Sequence, residues 1–289
     1  MIKNRRLHIV SWLIVLTGCT KDVAQFSPAP LSDTAWVQQV SASAAVAGLR
    51  DTLQYAIATD TVQLSQTDTL LLGSISCILP GSGWTTGQGS SYTGAAIVRA
   101  RLFDKPGELI REFAGTLVQG SPVSVDAVVY LEVTVGGAAL TPKDTIGFTT
   151  GDSLWSGDYV QNSLQWNTPG GLPGVLHTGW FLFGSTASGG VNTLTVTLPS
   201  GFSNANTAVF CWMPGKRVLA LLQGDYNSRS FGARGLPGDS QATIVSLTST
   251  GAAYYLGAQT ASISGGQVSI ALSPGTQTLG YVTNYLEQL

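Results

Sequence analysis

Short runs of Val, Ile, Leu, Thr and aromatic residues alternate with clusters of Gly, Pro, Asp and Ser along most of this chain. That rhythm predicts strands separated by turns. Segments 61–64, 69–79, 95–103, 109–118, 123–135 and 145–150 read as one block of strands. Segments 175–184, 193–198, 208–213, 217–222, 242–248, 252–259 and 267–272 read as a second. Between 128 and 135, Val129, Leu131, Val133 and Val135 fall on one face and Tyr130, Glu132 and Thr134 on the other. Such alternation belongs to an antiparallel sheet with one wet face. Residues 103–108, with Pro106-Gly107 at their centre, predict a hairpin turn. Residues 33–58 fit either state, since Ala-rich 41–49 favours helix and 53–57 alternates.

Two further segments are punctuated differently. Residues 232–240 (GARGLPGDS) have the spacing of three collagen triplets, too few for a triple helix, and are expected to be a loop. Ser273-Pro274 reads as an N-cap followed by proline at the first helical position. Leu279, Val282, Leu286 and Leu289 then recur at helical spacing, which predicts a short amphipathic helix covering a sheet edge or end. Residues 151–174, rich in Gly, Asp, Asn and Pro, form a break between the two blocks and are expected to be a linker. The fold class expected is all-β: two antiparallel immunoglobulin-like β-sandwich domains, at 33–150 and 175–289, the second with a short C-terminal helix.

Composition narrows the function classes. The chain of 289 residues is 44% hydrophobic and only 10% charged, which argues against a long disordered chain. The 14 basic residues do not outnumber the 16 acidic ones, so no basic surplus exists to bind nucleic acid. Three of the basic residues, Lys3, Arg5 and Arg6, sit at the extreme N-terminus ahead of the apolar run 7–16. A run that short does not span a bilayer, which takes roughly twenty residues; it reads as an export signal.

That signal ends in Leu16-Thr17-Gly18-Cys19, which resembles the bacterial lipobox. The resemblance implies cleavage after Gly18, so that residues 1–18 are a lipoprotein signal peptide, and lipidation of Cys19, whose acyl chains give a stable membrane anchor. The chain from Cys19 then has 11 basic and 16 acidic residues, a net charge of −5. Thr20-Lys21-Asp22 looks like the surface-export tag of Bacteroidetes-type lipoproteins, and residues 19–32, with prolines at 28 and 30, read as a tether. The implied location is the outer membrane, with the body in the envelope or at the cell surface. The triplet of Asp, Ser or Thr, and an apolar residue occurs six times and resembles the O-glycosylation site of exported Bacteroidetes-type proteins. It implies modification at Thr34, Thr52, Thr61, Thr69, Thr145 and Ser153. The same triplet is also ordinary turn-then-strand chemistry.

The chemical inventory is sparse. Cys77 and Cys211 lie in apolar runs and read as buried free thiols. His177 is the single histidine beyond the signal, too few for a two-histidine zinc site, and glutamates number four. The catalytic and nucleotide motifs are absent, so no catalytic residue, metal site or cofactor is expected. Two clusters of aromatics lie in polar surroundings: Trp155, Tyr159 and Trp166 in the break, and Trp84 and Tyr92 in the loop 80–94. Exposed rings there would stack on sugars, whereas buried rings would plug the ends of the sandwiches. Trp180 and Trp212 sit within strands and read as core.

The leading expectation is a non-enzymatic, lipid-anchored surface protein presenting β-sandwich modules for adhesion or for assembly with an outer-membrane protein. In signal and architecture it resembles the accessory lipoproteins of outer-membrane glycan-uptake systems. The alternatives are a carbohydrate-binding lipoprotein using the aromatics above and a fimbrial-type subunit, since fimbrillins also combine a lipoprotein signal with two β domains.

Overall fold

The computed structural model describes residues 35–38, 44–150, 152–167, 174–188, 190–251 and 253–289. The signal, Cys19, most of the tether and Thr34 lie outside the described residues. The chain is mostly β, with several antiparallel sheets and a short C-terminal helix. Helix α1 (Ala44–Leu53) leads into β1 (Thr59–Gln63), β2 (Asp68–Leu72), β3 (Ile75–Leu79) and β4 (Ala95–Phe103). Helix α2 (Pro106–Arg111) precedes β5 (Ser121–Val135), β6 (Ile146–Phe148), β7 (Ser153–Val160), β8 (Ser163–Trp166) and β9 (Gly179–Thr186). The second half runs through β10 (Asn192–Thr197), β11 (Thr207–Met213), β12 (Val218–Asp225), β13 (Ser230–Leu236) and β14 (Asp239–Ser249). It ends with β15 (Tyr254–Ile263), β16 (Gln267–Ala271), β17 (Gly275–Gln277) and α3 (Leu279–Glu287).

In the first half the sheet β1-β4-β5-β9-β7-β8 faces a smaller sheet containing β6, β3 and β2. Between them lies a core of Val62, Val98, Val129, Leu131, Phe148, Phe181 and neighbours. In the second half one sheet, ordered β16-β10-β13-β12-β11-β14-β15-β17, carries a core of Leu194, Val209, Cys211, Val218, Ile244 and Ile270. Its pairing of β10 with β16 is parallel. A third core joins the halves: Val125, Trp155, Trp166 and Leu182 of the first sheet meet Phe210, Leu219 and Val245 of the second, with α1, α2 and α3 closing its sides.

Burial on both faces explains the unbroken apolar runs. In β11, Val209, Cys211 and Met213 face the second core while Ala208 and Phe210 face the shared one. In β5 the faces exchange partway. Val123 and Val125 point to the shared core, whereas Ala127, Val129, Leu131 and Val133, of the same parity, point to the first core. The pairing Phe183↔Ala127 followed by Gly184↔Val125 skips Asp126, so a β-bulge there shifts the alternation by one residue.

Four expectations are corrected. Within the expected linker 151–174, residues 153–166 belong to the first sheet: β7 and β8 form a hairpin there, and β9, read as opening a second domain, pairs with both β5 and β7. Residues 103–108 do not turn a hairpin. Pro106 begins α2, and the Glu108 carboxylate accepts the Asp104 N–H at 3.2 Å and an ion pair from Arg101 at 3.3 Å, which stabilises the helical start. Residues 232–240 are not a loop but the end of β13 and the start of β14 about Pro237-Gly238. The C-terminal helix has the predicted buried positions Val282 and Leu286, but its N-cap is Thr278, which accepts the Tyr281 N–H, and Ser273-Pro274 precedes the edge strand β17 instead. The ambiguous segment 33–58 contains the helix α1.

Candidate functional site

The aromatic candidates are core residues in this structure. Trp155 and Trp166 are 3% and 4% exposed and belong with half-buried Tyr159 to the shared core. The Trp166 indole donates to the Gly115 carbonyl at 2.5 Å, and the Tyr159 hydroxyl donates to the Glu112 carbonyl at 2.8 Å. Trp84 is fully buried, its indole donating to the Pro80 carbonyl, and half-buried Tyr92 donates to the Ala95 carbonyl. Stacking on a sugar needs an exposed ring face, so of the two alternatives these rings take the buried one and the sugar platform is corrected. Pairing of 153–166 into the first sheet turns Trp155, Tyr159 and Trp166 toward α1, α2 and the second sheet, while Trp84 and Tyr92 pack in the first core.

The other singled-out residues are placed as follows. Thr52, Thr61, Thr69, Thr145 and Ser153 are all solvent-exposed. Each precedes an apolar residue facing inward, such as Leu53, Val62 or Leu154, so the Asp-Thr-apolar triplet coincides with outward-inward alternation at an element. Cys77 and Cys211 are free thiols in different cores, each pushed up to about 12 by burial and therefore held as thiols. His177 is exposed, its Nδ1 3.1 Å from the Thr178 carbonyl oxygen.

One group of charges was not anticipated. The Tyr55 ring lies between two guanidinium groups, Arg101 at 3.9 Å and Arg111 at 3.4 Å. Arg111, 8% exposed, donates to the Leu53 carbonyl and pairs with Glu287 of α3. Buried Glu112 accepts the Tyr55 N–H, and desolvation raises its pKa although Tyr55, Tyr159, Arg101 and Arg111 act the other way. The partners bridge the region after α1, α2 and α3, and the group holds these helices together across the shared core.

The open site lies elsewhere. A cleft of about 530 Å³ sits between the halves on the outer face of β10, β13 and β12. Its floor follows from strand register. Thr195 pairs with Gly232, and Gly232 with Gln223, so these three form one cross-strand row. Ser230 and Asp225 form the next row, and Arg234 lies on the far side of Gly232 at the same parity. The intervening residues Leu194, Phe231 and Leu222 point into the second core, which forces the polar set outward. The walls are Gln119 and Gly120, next to β5, and Ser163 and Gln165 of β8, where the Gln165 amide donates to the Ser163 hydroxyl at 2.7 Å. Asp225 accepts the Asn227 N–H and the Ser228 hydroxyl, and these bonds hold its carboxyl below the usual range. Arg234 is exposed and has no ion-pair partner among the described residues.

Sequence reading missed Gly232 and Arg234 because glycine spacing made 232–240 look like a loop. The available signal was period-2 alternation across Phe231, Ala233 and Leu236, weakened by a bulge. No protein-family model matches the chain, and no curated protein matches it significantly.

Proposed function

We propose that this is a non-enzymatic, lipid-anchored envelope protein whose β body is presented for adhesion or for assembly with an outer-membrane partner. The lipobox-like Leu16-Thr17-Gly18-Cys19 carries this reading. The start of the described chain supports the presentation part. Trp36 packs 5.2 Å from Phe231, and the Asn204 side chain bonds both the N–H and the carbonyl of Val37. Residues 36 and 37 are therefore fixed to the second half. The immunoglobulin-like sandwich reading belongs to the same proposal and draws support from the two facing sheets about the first core. The test is labelling with a radioactive fatty acid in a bacterial host. Label is expected on the wild type in the outer-membrane fraction and absent from Cys19→Ser; equal labelling of both overturns the anchor.

Carbohydrate binding is the second reading. Its support is no longer the aromatics but the hydroxyl- and amide-lined cleft. The fimbrial-type reading rests on the sheet edges at β1 and β2, beside which Leu71 is 79% exposed.

A further inference from the structure

We infer that the cleft over β10, β13 and β12 binds an oligosaccharide that carries a carboxylate, a glycan of the uronic-acid class. The inference rests on the carbohydrate-binding reading and is independent of the anchor. Gln119, Gln165 and Gln223 offer amides, and Thr193, Thr195 and Ser230 offer hydroxyls. Such a lining matches a ligand with hydroxyl groups along its length, while Leu117 and Leu221 give apolar contact for the C–H faces of sugar rings. The charges fix its polarity. Asp225 is satisfied by Asn227 and Ser228 and stays ionised, so an anion is disfavoured at that end. Arg234, nine residues on but only four residues along the paired strands, sits roughly 13 Å away. Its guanidinium, without an ion-pair partner among the described residues, offers a two-pronged donor set that a carboxylate accepts.

An extended peptide fits less well. β10 is paired on both sides, and β13 is paired on both sides at Phe231 and Gly232, so the centre of the floor offers no free backbone edge. On the wall strand β8 the Leu164 N–H donates to the Phe113 carbonyl, which interrupts the row that strand addition would use. Over the centre of the floor the ligand would thus be read by side chains.

Gly232 supplies the independent observation. It lies mid-strand, where glycine weakens a sheet, and its backbone does not adopt positive φ. A Cβ there meets only the Leu194 carbonyl oxygen at 3.4 Å, so packing does not require glycine. What the missing side chain leaves is open space over the floor, as a closely approaching ligand needs.

The test is calorimetric titration of the full chain in detergent with three probes: a galacturonic-acid trisaccharide, its methyl ester and a neutral hexose trisaccharide. Saturable binding of the acidic probe is expected, with affinity at least about tenfold lower for the methyl ester and for Arg234→Ala. Gly232→Val, or the milder Gly232→Ala, is expected to weaken binding without lowering the melting temperature. Equal affinity for acidic and neutral probes overturns the carboxylate while leaving carbohydrate binding standing. No saturable binding of any probe overturns both. Binding unaltered by substitution at 232 and 234 moves the site away from this cleft.

Discussion

Trp166 shows what a single side chain does here: its ring fills the shared core and its indole N–H satisfies the Gly115 carbonyl. Trp166→Ala is expected to lower unfolding free energy by about 3–5 kcal/mol, read from urea denaturation. A loss below about 1 kcal/mol would mean the ring is not core. Glu112 gives a pH signature. Burial raises its folded pKa above the ordinary 4.5, so the folded state holds this proton more tightly than the unfolded chain. The resulting stability is fully present below pH 4.5 and is lost as pH rises through the folded value. Thermal melts of Glu112→Gln against wild type should therefore show a difference that moves in favour of the variant as pH rises, and a pH-independent difference would contradict it. The core roles of Trp180, Cys77 and Cys211 were legible because each lies in an apolar run. Those of Trp155 and Trp166 were not, because the other face of their hairpin is polar and diluted the signal.

Helix α2 is an element whose identity depends on its neighbour. Pro-Gly serves a hairpin or a helix start equally well, and here Gly107 permits the approach of α3: a Cβ would clash with the Leu286 carbonyl oxygen. Gly107→Ala should separate α2 from α3, cost about 1–3 kcal/mol and speed amide exchange over 279–287. Gly48, inside α1, has open space at its Cβ, so Gly48→Ala should instead stabilise by about 0.4–1 kcal/mol. The opposite signs, measured in parallel denaturations, separate a packing glycine from a merely permissive one. At this scale the long alternating strands and the apolar face of α3 were readable. The bulge at Asp126 was not, because a one-residue shift leaves the same apolar composition and only changes which partner each residue meets.

At the scale of the whole molecule, the shared core makes the halves depend on each other. Unfolding followed by near-ultraviolet circular dichroism and by tryptophan fluorescence is expected to give one coincident transition. Two separated transitions would show that each half is stable alone. Period-2 alternation, turn residues and the spacing of Val282 and Leu286 are local properties, so the order of residues along the chain was enough to specify a mostly β protein with a short helix at its end. Partner choice is not local. Trp180 pairs with Tyr130 across fifty residues, and that pairing, rather than the polar composition of 151–174, assigns the hairpin to the first sheet. Long-range packing is what turns the tryptophans of this hairpin inward and brings a glycine and an arginine from a loop-like segment to the cleft. Which face of a strand is covered depends on what packs against it, and that surface comes from residues far away in the chain.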